Sequence, residues 1–157
     1  MRFDDTLETV LAGDLATPAG IQSVWRQLVD LIGRKRVPAD PRALATLHAI
    51  RREVPDTVRA ASARGLEYGD PPFALVRLFA ADMVSISGPI LRNARLASSE
   101  WISILPELSA AGREVLRARR DLSPAVRNAL ESFNGSDFVL ETGEAQSAPE
   151  VVGAPDT

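Results

Sequence analysis

Apolar residues return along this chain at intervals of three and four, and nowhere do they alternate with polar ones over a useful length. Ile21, Val24, Trp25, Leu28, Leu31 and Ile32 form one stripe, Ala43, Leu47, Ile50 and Val54 a second, and Val126, Ala129, Leu130 and Phe133 a third. That spacing places each set on one face of an α-helix. The starts of these helices share a spelling, a polar capping residue followed by proline, at Thr17-Pro18, Asp40-Pro41 and Ser123-Pro124. Proline costs nothing at a first helical position, because its missing N–H would have had no partner there. The stretch Pro72 to Ile86 is apolar on nearly every face, which predicts a central helix. Asp82 and the Gly88-Pro89 pair are expected to divide this region, with two helices meeting near Ser85 to Gly88. Ser98 or Ser99 is expected to cap a helix carrying Trp101, Ile104 and Leu105 that kinks or ends at Pro106, and a further helix is expected from about Ala110 to Arg120. The pattern predicts about nine or ten short helices and no sheet.

One short phrase recurs. Val58-Arg59-Ala60-Ala61, Leu91-Arg92-Asn93-Ala94 and Val126-Arg127-Asn128-Ala129 each run aliphatic, arginine, free position, alanine, at intervals of 33 and 35 residues. A period in the thirties marks stacked helical hairpins, in which each unit buries its apolar face only against its neighbours. The fold class expected is therefore all-α, a stack of helical hairpins forming an α-solenoid. In each phrase the aliphatic residue and the alanine three places on share one buried face. The arginine sits at the edge of that face, where an acid six residues earlier or in the adjoining unit would pair with it. Asp121 fits that role for Arg127 and Glu53 for Arg59, whereas Ile86 cannot serve Arg92.

Composition adjusts this picture in two places. The apolar share of 45% and charged share of 25% are those of an ordinary globular chain, which excludes wholesale disorder. No apolar run approaches the ~18 residues of a membrane span, and no leader-like start is present at Met1, so a cytoplasmic location is expected. The charge is laid out unevenly. Residues 1–140 carry 18 basic and 17 acidic side chains, while residues 141–157 hold Glu141, Glu144, Glu150 and Asp156 with no base. We therefore expect a helical-repeat domain over 1–140 and an acidic, Pro/Ser/Gly/Ala-rich linker or tail over 141–157. Within the domain, residues 1–54 carry only a faint echo of the repeat, Trp25-Arg26-Gln27-Leu28.

Asp121-Leu122-Ser123-Pro124-Ala125-Val126-Arg127 has the aspartate, proline and Val-Arg order of the second helix of a HEAT-type repeat, and Pro89 keeps the same distance before Leu91-Arg92. With Ile86-Ser87-Gly88-Pro89-Ile90-Leu91-Arg92 and Leu108 to Arg120, these segments make the stretch from Pro55 to about Glu141 resemble the bacterial HEAT-like helical-repeat domain of unknown function. One form of that domain stands at the N-terminus of sensor histidine kinases, before a PAS module. The resemblance covers over half of the chain. It implies a non-catalytic protein-interaction or signal-input module in a two-component system, whose partner is another protein or a downstream domain of the same polypeptide.

Candidate chemistry is sparse. With no cysteine and one histidine, disulfides, thiolate nucleophiles and cysteine-based zinc sites are excluded, and no oxygen-ligand cluster is apparent, so neither metal nor cofactor is expected. The binding candidates are Arg59, Arg92 and Arg127, flanking the concave face that the second helices of such a stack would form. His48, in His48-Ala49-Ile50-Arg51-Arg52-Glu53-Val54-Pro55, resembles loosely the phosphoacceptor box of histidine kinases, although Ala49 replaces the acid and Pro55 comes two places late. At about 100° per residue it lies roughly 130° from the centre of its helix stripe, near solvent. A histidine phosphotransfer domain using His48 is thus the first alternative function. The second is a HEAT-like nucleic-acid binder using the Arg113, Arg117, Arg120 row or Arg34-Lys35-Arg36. Against it, the near-neutral body lacks the concentrated positive charge that phosphate neutralisation needs, and solvated faces and helix C-terminal charge compensation are the better reading of those runs. Self-association through Trp25 or the first helix remains compatible with the exposed flanks that any stack leaves at its ends.

Overall fold

A computed structural model describes residues 2–137, with side chains described from Asp5 onward. The phrase Phe138-Val139-Leu140 and the acidic segment 141–157 lie outside the described residues. Those described are all-helical and contain no strand. In chain order the α-helices are α1 (Arg2–Leu11), α2 (Pro18–Gly33), α3 (Pro41–Ile50), α4 (Asp56–Leu66), α5 (Phe73–Ala80), α6 (Val84–Asn93), α7 (Ser98–Ile104), α8 (Ala110–Arg117) and α9 (Pro124–Glu131). Single 3-10 turns, Arg51–Glu53 and Leu105–Glu107, tighten the ends of α3 and α7. Among these residues no helix is long and apolar enough to cross a membrane.

The helix starts are built as the capping arithmetic requires. The side chains of Thr17, Asp40, Ser109 and Ser123 each accept a hydrogen bond from a backbone N–H of the first turn, and proline stands at the start of α2, α3 and α9. Two expectations are corrected. The cap of α7 is Ala97 rather than a serine, and Glu100 compensates by accepting from the Ala97 N–H at 2.9 Å. The break in the central apolar region falls at Ala81–Met83, and Gly88-Pro89 sits inside α6. Proline removes one intrahelical hydrogen bond without ending the helix when surrounding packing holds the turn. Here Ile86, Ile90 and Leu91 are all buried around it.

Each helix packs against the helix two places further on. α1, α3, α5, α7 and α9 touch in succession, and so do α2, α4, α6 and α8, while α2 on α1 and α3, α6 on α5 and α9 on α8 join the two rows. Between the rows runs one continuous core. Trp25, Leu28, Ile32, Leu47, Leu75, Leu78, Phe79, Leu91 and Ile104 are at most 1% exposed, and each such side chain contributes about 1.5–3 kcal/mol through burial. Trp25 meets Phe79 edge to face at 5.7 Å, and its indole N–H donates to Ser62 Oγ at 3.1 Å. The end of α2 closes in a Schellman arrangement, with Arg36 N–H donating to the Leu31 carbonyl and Lys35 N–H to the Ile32 carbonyl. Lys35 itself takes the left-handed conformation, φ 58°.

Candidate functional site

Two kinds of site emerge from this packing: arginine clamps that tie the loops together, and trenches along the even row of helices. The clamps decide which arginines remain free.

Arg59 is 7% exposed. Its Nε and Nη2 donate to the Asp82 carboxylate at 2.7 and 3.2 Å, and its Nη1 donates to the carbonyls of Val54 at 2.5 Å and Arg51 at 3.4 Å. Asp56 adds a second carboxylate at 3.1 Å. These carbonyls belong to the 3-10 turn that ends α3, where helix acceptors have no partner of their own. The hydrogen bond to Asp82 holds the Arg59 proton more firmly than usual, against the opposing effect of burial. Arg113 repeats the arrangement at the end of α7. Its Nε and Nη2 donate to Asp137 at 3.1 and 2.7 Å, and its Nη1 donates to Leu105 and Leu108 carbonyls at 3.0 and 2.6 Å. Phe133 stacks beneath its guanidinium at 4.6 Å. Asp137 lies between Arg113 and Arg117, and hydrogen bonds from these two hold its carboxyl down at about 2 although burial pushes the other way.

Arg119 caps differently. It donates to the Leu91 and Ala94 carbonyls at the end of α6, both at 2.9 Å, forks onto Asp121 at 2.9 and 2.7 Å, and lies 5.5 Å from the Trp101 ring. Arg127 donates to the Leu122 and Arg120 carbonyls. The pairings expected from spacing are therefore corrected: Asp121 serves Arg119 instead of Arg127, and Asp82 and Asp56 serve Arg59 instead of Glu53. Asp121 lies two residues after Arg119 and takes its fork, while Arg127 turns back to the Leu122 and Arg120 carbonyls; Arg59 reaches back to the Arg51 and Val54 carbonyls and across to Asp82.

The candidate binding arginines consequently do not form one set. Arg59 is buried in α4 and fully engaged. Arg127 lies on α9, in the odd row, so its phrase falls on a different row from the other two. Of the three, Arg92, on α6, is the one that is exposed and makes no hydrogen bond or ion pair among the described residues. Arg113, expected on a solvated flank, is instead one of the buried polar residues. His48 occupies the last turn of α3, exposed as expected, with no hydrogen bond or ion pair among the described residues.

The even row leaves two trenches. Between α2 and α4 a trench of about 590 Å³ is floored by Val29, Gly33, Val58, Ala61, Gly65 and Leu66. A Cβ at Gly33 would overlap Leu66, so the missing side chain sets how closely α2 and α4 approach, while a Cβ at Gly65 would meet nothing. The rim carries Arg26, the Asp30–Arg34 pair at 2.7 Å and the Lys35–Asp70 pair at 3.1 Å. A second trench, of about 540 Å³, is lined by Glu67, Arg92, Asn93, Val115, Ala118 and Arg119. Among the described residues no group of three or more histidines, aspartates and glutamates gathers in a way that would hold a metal.

Neither family models, nor characterised proteins, nor solved structures match this chain.

Proposed function

We propose that the chain is a HEAT-like α-solenoid that works by adhesion, a protein-interaction or signal-input module of the kind found ahead of the PAS domain in bacterial sensor histidine kinases. Its partner is another protein or a further domain, and it acts in the cytoplasm. The observation that carries this reading is the order of contacts: each helix packs on the helix two places along, in two rows, with an open trench on the even row. Stacked arrays of helical hairpins present such a row as an extended binding surface. The trench floor is small and apolar, and its charges stand at the rim, the layout of a groove that takes a helix or an extended segment.

The test is a peptide-display selection against the full chain, followed by counter-screening on two variants. Ala61 is exposed on the trench floor, so Ala61→Arg fills the groove at a position where folding is undisturbed. Arg52→Ala changes an exposed charge elsewhere. Peptides selected on the parent chain are expected to lose at least tenfold in affinity, about 1.4 kcal/mol, on Ala61→Arg and to bind Arg52→Ala unchanged. Selected peptides indifferent to Ala61→Arg would remove the trench from the proposal, and a selection that enriches nothing would remove the adhesive role.

A further inference from the structure

The two trenches on the even row are parts of one path. A third recess, of about 410 Å³, is lined by Glu67, Tyr68, Gly69, Asp70, Asn93 and Arg95. It shares Gly69 and Asp70 with the α2–α4 trench, and Glu67 and Asn93 with the trench that reaches α8. The path therefore follows α2 and α4 lengthwise and then turns across the ends of α4, α6 and α8. Its first limb, from Arg26 to Lys35, runs along α2 for about 14 Å. Its second crosses two helix spacings of about 9 Å each. A straight helix cannot lie along both limbs. An extended chain can, and about nine or ten residues at ~3.3 Å each cover the ~30 Å of the whole path.

The charges along the path define what that chain carries. Arg26 stands on the first limb, Arg95 at the turn and Arg92 on the second limb. All three are exposed and make no hydrogen bond or ion pair among the described residues. The acids of the path are mostly engaged: Asp30 is held by Arg34 and Asp70 by Lys35, and Glu67 accepts from the Asn93 amide at 3.2 Å. On the odd row, by contrast, the exposed cations Arg42 and Arg77 reach carboxylates of a neighbouring element, Glu8 and Glu107. Uncompensated positive charge thus gathers along the even row. At the turn of the path Tyr68 is 87% exposed, a large ring set where a bound chain would cover it. A nucleic-acid backbone, charged at every unit, would meet Asp30, Glu67 and Asp70 as well as the arginines. A peptide places acids only where guanidiniums stand.

We propose that the even row binds an extended acidic segment of another protein. Alternate side chains of such a segment point to opposite sides, so its apolar residues face the floor at Val58, Ala61 and Val115 while its carboxylates meet Arg26, Arg95 and Arg92, and Tyr68 packs against it at the turn. This rests on the adhesive reading above and gives its partner a chemistry and a shape.

The test is a selection of random peptides on the full chain, each about twelve residues long so that it spans the path. The binders are expected to hold aspartate and glutamate at about twice their frequency in the starting library, to gain no helical circular dichroism on binding, and to weaken as salt rises. On the double variant Arg92→Gln, Arg95→Gln, whose side chains hold nothing in the fold, they are expected to lose about fivefold in affinity, the sum of two exposed charge pairs. Arg52→Gln, which removes an exposed cation away from the path, is expected to leave them unchanged. Binders no richer in acids than the library, helical when bound, or indifferent to the double variant would overturn the acidic segment. If those same peptides still fail on Ala61→Arg, the adhesive reading stands without it, whereas a selection that enriches nothing removes both. Oligothymidine that binds more tightly than the selected peptides and displaces them would make the path a nucleic-acid groove, and the proposal would fall.

Discussion

Lys35 and Asp137 show how single residues carry measurable strain and charge in this fold. Lys35 holds φ 58° at the turn that ends α2, a conformation that crowds the Cβ of any L-residue. Replacing it with glycine relieves that crowding at the cost of greater freedom in the unfolded chain, a net gain of about 0.5–1 kcal/mol. The comparison belongs in an Asp70→Asn background, so that loss of the exposed Lys35–Asp70 pair does not blur it. A less stable Lys35→Gly variant in urea unfolding would show that the side chain does more there than tolerate a left-handed turn. Asp137 is the opposite case, a buried carboxylate on which two guanidiniums depend. Asp137→Asn removes their shared anion, and the expected loss at neutral pH is about 2–3 kcal/mol, the amount that goes with a carboxyl held at about 2 instead of 3.8. Because its folded carboxyl titrates at about 2 and its ordinary value is 3.8, the contribution is complete above the higher value and fades as pH falls toward the lower one. Urea unfolding of parent and variant should therefore converge as the solution is acidified through that window. A gap that stays constant would mean that shape, rather than charge, is what Asp137 supplies.

At the scale of the helix, the same glycine chemistry predicts opposite outcomes at two positions. A Cβ at Gly20 in α2 would overlap the Asp14 carbonyl oxygen, whereas a Cβ at Gly65 in α4 would meet open space. Gly20→Ala should cost about 1–3 kcal/mol through overpacking, and Gly65→Ala should add about 0.5–1 kcal/mol through helix propensity. Thermal unfolding of the pair decides it, and equal shifts of the same sign would overturn the packing account. Helix starts were legible in the sequence because caps are written locally: Thr17-Pro18, Asp40-Pro41 and Ser123-Pro124 sit where the structure begins α2, α3 and α9. The recurrence that organises the loops is written only sparsely, as an isoleucine, a glutamate and an aliphatic residue ahead of the arginine (Ile50, Glu53, Val54, Arg59 and Ile104, Glu107, Leu108, Arg113), and the sequence reading passed over it. Its two members, Arg59 and Arg113, stand in phrases with no shared neighbours, Val58-Arg59-Ala60-Ala61 and Gly112-Arg113-Glu114-Val115. What repeats is a pair of backbone carbonyls eight and five residues earlier and an aspartate in the next unit, Asp82 or Asp137. Backbone acceptors have no spelling, so the eye is drawn instead to Val126-Arg127, whose likeness to the earlier phrases does not survive its placement on α9.

For the whole molecule, the consequence of contacts limited to near neighbours is an uneven stability. Among the described residues, helix α6 is gripped by α4, α5 and α8, and α5 by α2, α3, α6 and α7, whereas α9 packs chiefly on α7 and α8, and α1 chiefly on α2 and α3. In a proposed stack of this kind stability is close to a sum of unit and interface terms, so an end helix can open without dragging the rest with it. Native-state hydrogen exchange should accordingly find the slowest amides in α5 and α6, with protection falling toward α1 in one direction and α9 in the other. The Arg113–Arg117–Asp137 cluster makes the far end a special case, since it ties α8 to the residues after α9 through buried charge. Uniform protection from α1 to α9, lost in a single cooperative step, would describe a globule with one indivisible core, and the adhesive array would have to be given up.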